Sequence, residues 1–205
     1  IRPPPRSTPF PTRRSSDLSL SRPKNILQGF EAYEVNAYFG GVEVPEYNLG
    51  LSQKLAETAE IVAVDSLGDF DAVQTVMYLS LLASEIALKA LLEKAGQPVA
   101  QIRARSHNLK LLLEDLCRCQ IQVEIAPGHV RWMSASSLRA VTVDPNYDNA
   151  TVGTLLEAES VGASTYPNQI RYGESFRQYP PQLIMKMALK IARWANQHWE
   201  DIRLS

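Results

Sequence analysis

Between Asp69 and Gly96 the chain carries a run that leaves little freedom in how it can fold. Val73, Val76, Met77, Leu81, Leu88 and Leu92 are among the apolar residues that recur there at helical spacing and cover most of the circumference. A helix apolar on most sides is touched on several sides, so the rest of the chain has to pack around it. Its ends are written locally. Asp69 or Asp71 can cap the first turn, Gly96 can take the left-handed stop, and Pro98 blocks continuation. Inside the run sit Glu85 and Lys89, four residues apart and therefore on one face. Two readings stand for them, a structural or interface ion pair and a pair that contacts a ligand. In either, a charge left without a partner would be costly.

Around this centre the periodicity predicts further helices. One spans Glu46 to about Leu67, with Leu51, Leu55 and Val62 inward. Another is capped by Ser106 and repeats Leu109, Leu112, Leu113 and Leu116; the last is opened by Pro180 and Pro181 and runs through about Arg203. The stretch from Ile121 to Gln178 predicts a short helix after Pro127, a turn over Asp144 to Asn149 and a second short helix around Thr151 to Ser160. The expected fold class is all-α, a four- or five-helix up-and-down bundle over residues 46–205 with an insertion at about 121–165. An irregular arm over 19–45 precedes it.

The first eighteen residues hold five prolines and four arginines and little that could pack, which reads as a disordered basic tail. Within it "FPTRRSSDL", Phe10 to Leu18, matches the translation of a common short-read sequencing adapter, so residues 1–18 are read as non-native and set aside. Leaving out Arg2, Arg6, Arg13, Arg14 and Asp17 moves the formal charge from −1 to −4. No case for nucleic-acid binding can then rest on that tail. No apolar run is expected to reach the roughly 20 residues of a membrane span, and no signal region is legible, so a soluble cytoplasmic protein with no membrane partner is expected. Cys117 and Cys119 lie too close for an unstrained disulfide and lack the spacing of a zinc site, so neither a metal nor a cofactor is expected.

"YLSLLASEIALKALLEKAG" from Tyr78, then a short basic loop and "SHNLKLLLEDL" from Ser106, resemble the HEPN domains of bacteria and archaea. Their second helix carries an A/S-x-E-x-A-L-K-A-L-L pattern, and their next helix begins with His-Asp/Asn-Leu, here His107, Asn108 and Leu109. "YPNQIRYGESF" from Tyr166 resembles the Arg-Tyr segment before the last helix of many HEPN-like proteins, here Arg171 and Tyr172. The resemblance implies a helical bundle that often forms a homodimer. It implies roles from metal-independent RNA cleavage in toxin and phage-defence systems to plain RNA or nucleotide binding, with a cognate antitoxin or nucleotidyltransferase as partner.

Catalytic members carry an Arg followed by a His after four to six residues, and here Arg193 to His198 meets that spacing. Five residues of regular helix turn about 140°, so the two would diverge unless the helix breaks or a second protomer supplies one of them. Trp194 also stands where those members favour a polar residue. A binding module would instead use Glu85, Lys89, His107, Asn108, Arg171 and Tyr172 with the basic loop of Arg103 and Arg105, alongside Lys110 and Arg118. His107 itself reads either as a structural anchor at a helix start or as a neutral base. A third reading is a non-catalytic interaction scaffold. The binding reading carries a geometric expectation, that Glu85 and Lys89 share one polar groove with His107 and Arg171.

Overall fold

The computed structural model describes residues 45–65, 69–158, 165–171 and 180–205. The basic tail and nearly all of the expected arm lie outside the described residues. In chain order the elements are α1 (Leu49–Asp65), α2 (Phe70–Ala95), α3 (Val99–Ala104), α4 (Leu109–Leu116), β1 (Cys119–Ala126), β2 (His129–Ser134), a 3₁₀ helix (Ala135–Ala140), α5 (Val152–Glu157), α6 (Tyr166–Arg171), α7 (Pro181–His198) and β3 (Ile202–Leu204).

α2 is the central element. Asp69 caps it by accepting the Asp71 N–H, and Gly96 closes it at φ +101°, a conformation that glycine adopts without steric cost. α1 and α7 pack on α2 and on each other, and α3, α4, α6 and β3 also pack against α2. Where the three long helices meet, Ala56, Ala83 and Ala188 are all buried, and the small side chains let the backbones approach. The Ser52 hydroxyl donates to the Ala83 carbonyl at 2.7 Å in that seam. Contrary to the expectation of no membrane-length apolar run, α2 has the length and composition of one, with mean hydropathy 1.5 over its most apolar window. That window is 72 % buried inside the protein, so its apolar character is accounted for by the core.

The fold is mostly helical, but it is not all-α. A three-stranded antiparallel sheet of order β2-β1-β3 follows α4. Where a short helix is expected after Pro127, the chain turns back on itself instead. Ile121, Val123 and Ile125 alternate with Gln120, Gln122 and Glu124, the period of a strand. Pro127 and Gly128 then form a two-residue turn with Gly128 at φ +74°, the proline-glycine arrangement of a type II turn. Likewise α7 ends at His198 rather than near Arg203. Ile202 pairs with Ile121 and is fully buried, so its β-branched side chain completes the inner face of the sheet rather than the helix stripe.

Helix boundaries differ as well, and α1 begins at Leu49 rather than at Glu46. α4 is capped by Asn108, whose side chain accepts the Leu111 N–H at 3.1 Å. Ser106 does not cap it but sits at φ +51°, in the left-handed region. The loop expected before α4 contains the single-turn helix α3. α5 is set by a capping box in which Thr151 and Thr154 bond each other's backbone N–H groups.

Candidate functional site

Glu85 lies in the middle of α2 and is 4 % exposed. A carboxylate so placed is tolerable only when its lone pairs are filled. Three donors from three segments fill them. Lys89, one turn along α2, donates to Oε1 at 2.8 Å. His107, in the turn between α3 and α4, brings Nδ1 to 2.9 Å from Oε2 and 3.2 Å from Oε1. Tyr166, at the start of α6, donates its hydroxyl to Oε2 at 2.7 Å across 81 residues of sequence.

Chemistry assigns the His107 tautomer. A carboxylate oxygen only accepts, so Nδ1 carries the proton; in the neutral tautomer this leaves Nε2 as an acceptor, and in the imidazolium Nε2 is a second donor. The His107 side chain is 54 % exposed while Glu85 beneath it is not. The site therefore presents one imidazole at the surface, held from below by a buried anion. Its ring stands edge-on to Tyr166 with centroids 6.2 Å apart, and Tyr166 in turn packs against Tyr78 at 5.9 Å. The left-handed backbone of Ser106, which L-residues seldom adopt, immediately precedes His107.

Lys89, 7 % exposed, also lies 5.4 Å from the Tyr47 ring centroid. The segment carrying Tyr47 is strapped to α2 by Glu93, whose carboxylate accepts the backbone N–H groups of Glu46 and Tyr47 at 2.8 and 2.9 Å. Glu85, Lys89 and Glu93 thus form an i, i+4, i+8 ladder, in which Glu85 ties His107 and Tyr166 to α2 while Lys89 and Glu93 both hold the Tyr47 segment. Burial and the neighbouring Glu46 carboxylate push the Tyr47 phenol up to about 12.

The basic loop is largely neutralised by the protein itself. Arg103 pairs with Glu46 through both Nε and Nη2, and that bond holds the Glu46 carboxyl below its ordinary range. Arg105 makes a two-pronged pair with Asp115 at 2.6 and 3.0 Å, and Arg118 approaches the same carboxylate at 3.5 Å. Lys110 is exposed and makes no ion pair among the described residues. Phosphate-binding charge is therefore sparser here than the sequence cluster of four suggests. Asn108 uses its side chain to cap α4.

Of the residues expected at a shared groove, Glu85, Lys89 and His107 converge. Arg171 ends α6, which packs on α2, but its side chain and the whole of Tyr172 lie outside the described residues. Tyr166 and Tyr47 join the cluster without having been anticipated. No local pattern marks Tyr166, whereas Glu93 continues the four-residue ladder and could have been found from spacing alone.

Arg193 and His198 belong to a different face. α7 runs unbroken through both, and five residues on such a helix separate their directions by about 140°. Arg193 lines a groove of about 470 Å³ between α1 and α7 with Gln53, Glu57, Glu60 and Asn196. His198 is half-buried against the Trp194 ring, 4.5 Å between centroids, and burial lowers its pKa below the usual imidazole value. Both cysteine thiols are pushed up by burial, Cys119 to about 11, which makes poor nucleophiles of them. Among the described residues no three His, Cys, Asp or Glu side chains are grouped to hold a metal ion.

Fold and site together define a helical domain with a small antiparallel sheet, organised around one buried carboxylate that ties α2 to the α3–α4 turn and to α6. No protein-family model, curated protein or solved structure matches the chain, so what it does must be argued from these groups themselves.

Proposed function

We propose that the protein is a HEPN-like module that binds RNA or a nucleotide at the surface around His107, with a cognate antitoxin or nucleotidyltransferase as its partner in a toxin–antitoxin or phage-defence system. One observation supports the binding site above the others, the half-exposed imidazole of His107 held at Nδ1 by the buried Glu85 carboxylate. A ring held this way offers a fixed acceptor at Nε2, or a donor once protonated, suited to a phosphate oxygen or a base edge. Lys110, which makes no ion pair among the described residues, supplies positive charge near His107 in sequence, and the paired Arg103 and Arg105 contribute less than free arginines would. The divergence of Arg193 and His198 on α7 favours binding over cleavage within one chain.

The test is fluorescence anisotropy with a labelled single-stranded RNA and calorimetry with a nucleoside triphosphate, on the wild type, His107→Ala and Arg193→Ala. Loss of a charge-assisted hydrogen bond predicts a drop of roughly ten- to a hundredfold in affinity for His107→Ala, and no change for Arg193→Ala. Absence of binding by the wild type to both probes would refute the module and leave an interaction scaffold. RNA cleavage abolished by Arg193→Ala would replace binding with catalysis.

A further inference from the structure

The last torsion of a glutamate is soft, so its donors decide which way the carboxylate faces. Around Glu85 two of them divide the oxygens. Lys89, one turn along the same helix, holds Oε1 at 2.8 Å, and Tyr166 holds Oε2 at 2.7 Å. His107 meets both, with Nδ1 2.9 Å from Oε2 and 3.2 Å from Oε1, so its ring turns with the carboxylate. The lysine bond is local to α2 and follows from the spacing of four. Tyr166 is different. It arrives with α6, is fully buried, and packs against the Tyr78 ring at 5.9 Å and edge-on to the His107 ring at 6.2 Å. A buried tyrosine needs an acceptor for its hydroxyl, and a backbone carbonyl would serve. Here the acceptor is the same carboxylate that holds the half-exposed imidazole.

We infer that Tyr166 is a positioning residue for the His107 site: its hydroxyl fixes Oε2 of Glu85, and the fixed carboxylate sets the direction in which Nε2 of His107 meets a ligand. The assignment rests on the reading of His107 as the binding group. Without the hydroxyl, Oε1 is still tied to Lys89, but Oε2 is left to His107, and the carboxylate can swing about its last torsion and carry the ring with it. Being fully buried, Tyr166 acts through Glu85 and not on the ligand. Partners that orient a histidine from behind are worth roughly ten- to a hundredfold in affinity where the ring binds a metal. For a ring that binds through one hydrogen bond, about three- to tenfold is expected. α6 thereby becomes part of the binding site, tied to it through the Tyr166 hydroxyl across 81 residues of sequence.

Two measurements on the full chain separate positioning from support of the fold. In anisotropy with the labelled single-stranded RNA, Tyr166→Phe should bind about three- to tenfold more weakly than the wild type, and His107→Ala/Tyr166→Phe no more weakly than His107→Ala alone. Gly153→Ala, strained at its contact with Arg139, should bind as the wild type does. NMR of isotopically labelled histidine reads the ring with no ligand present. The Nδ1–H proton of His107 should exchange slowly with water in the wild type and in Gly153→Ala and faster in Tyr166→Phe, with the signals of His129 and His198 unmoved. Should Tyr166→Phe fail to fold, a ring-fluorinated tyrosine at position 166, a stronger donor of nearly the same shape, should slow that exchange further. Wild-type affinity in Tyr166→Phe, an equal loss with and without His107, or an exchange rate indifferent to both changes would overturn the assignment. If the wild type binds neither the RNA nor the nucleoside triphosphate while the exchange rates shift as expected, the positioning stands and the proposed binding function fails.

Discussion

Replacing Glu85 by leucine removes the acceptor on which Lys89, His107 and Tyr166 converge, and the cost follows from their burial. Lys89 is 7 % exposed, and an ammonium left in such a site costs about 3–5 kcal/mol. Its contact with the Tyr47 ring offsets about 1 kcal/mol of this. Glu85→Leu is therefore expected to destabilise by about 2–4 kcal/mol. Lys89→Met is milder, about 1–3 kcal/mol, because His107 and Tyr166 still donate to the carboxylate. Lys94→Met on the same helix breaks a pair with Glu200 whose side chains are 29 % and 77 % exposed, worth less than about 1 kcal/mol. The double variant Glu85→Leu/Lys89→Met removes both charges together and should recover about 2 kcal/mol relative to the sum of the single changes. Urea unfolding measures all four, read as shifts in midpoint at constant slope. If Glu85→Leu is no worse than Lys94→Met, or if the two single costs simply add, the network is not the buried, coupled cluster described above.

Two further outcomes follow from local geometry. Burial lowers the His198 pKa in the folded protein, so the unfolded chain binds more protons below its ordinary value of about 6.5, and the stability present above that pH is lost as pH falls. Melting temperatures at neutral and mildly acidic pH should therefore differ less in His198→Gln than in the wild type, and equal differences would count against the assignment. Gly153 sits in α5 where an added Cβ would stand 3.0 Å from the Arg139 carbonyl oxygen. Gly153→Ala should lower the thermal midpoint by an amount worth about 1–3 kcal/mol; a rise, from alanine's better helix propensity, would show that the contact between α5 and the 3₁₀ helix yields.

Where the determining interactions lie within a few residues, the sequence alone was enough. The limits of α2 are set by an aspartate before its first turn and a left-handed glycine after its last, and the Glu85–Lys89 pairing follows from a spacing of four on any helix. The hairpin was equally local. Its alternation and its proline-glycine turn are present in the residues, and Gly128 with the period of two marks a turn where a short helix is expected after Pro127. The end of α7 was less local, since Ile202 fits a helix stripe as well as a strand until Ile121 is known to lie beside it. What makes Glu85 a site rather than an ion pair depended on the tertiary structure. His107 and Tyr166 are 22 and 81 residues away from it, and no short-range pattern carries information about a donor that arrives only when α6 packs on α2. The same packing determined which charges stay available. Arg103 and Arg105 read as a basic cluster in one dimension, whereas in three they are matched by Glu46 and Asp115, because opposite charges brought together by folding neutralise one another whatever their distance along the chain.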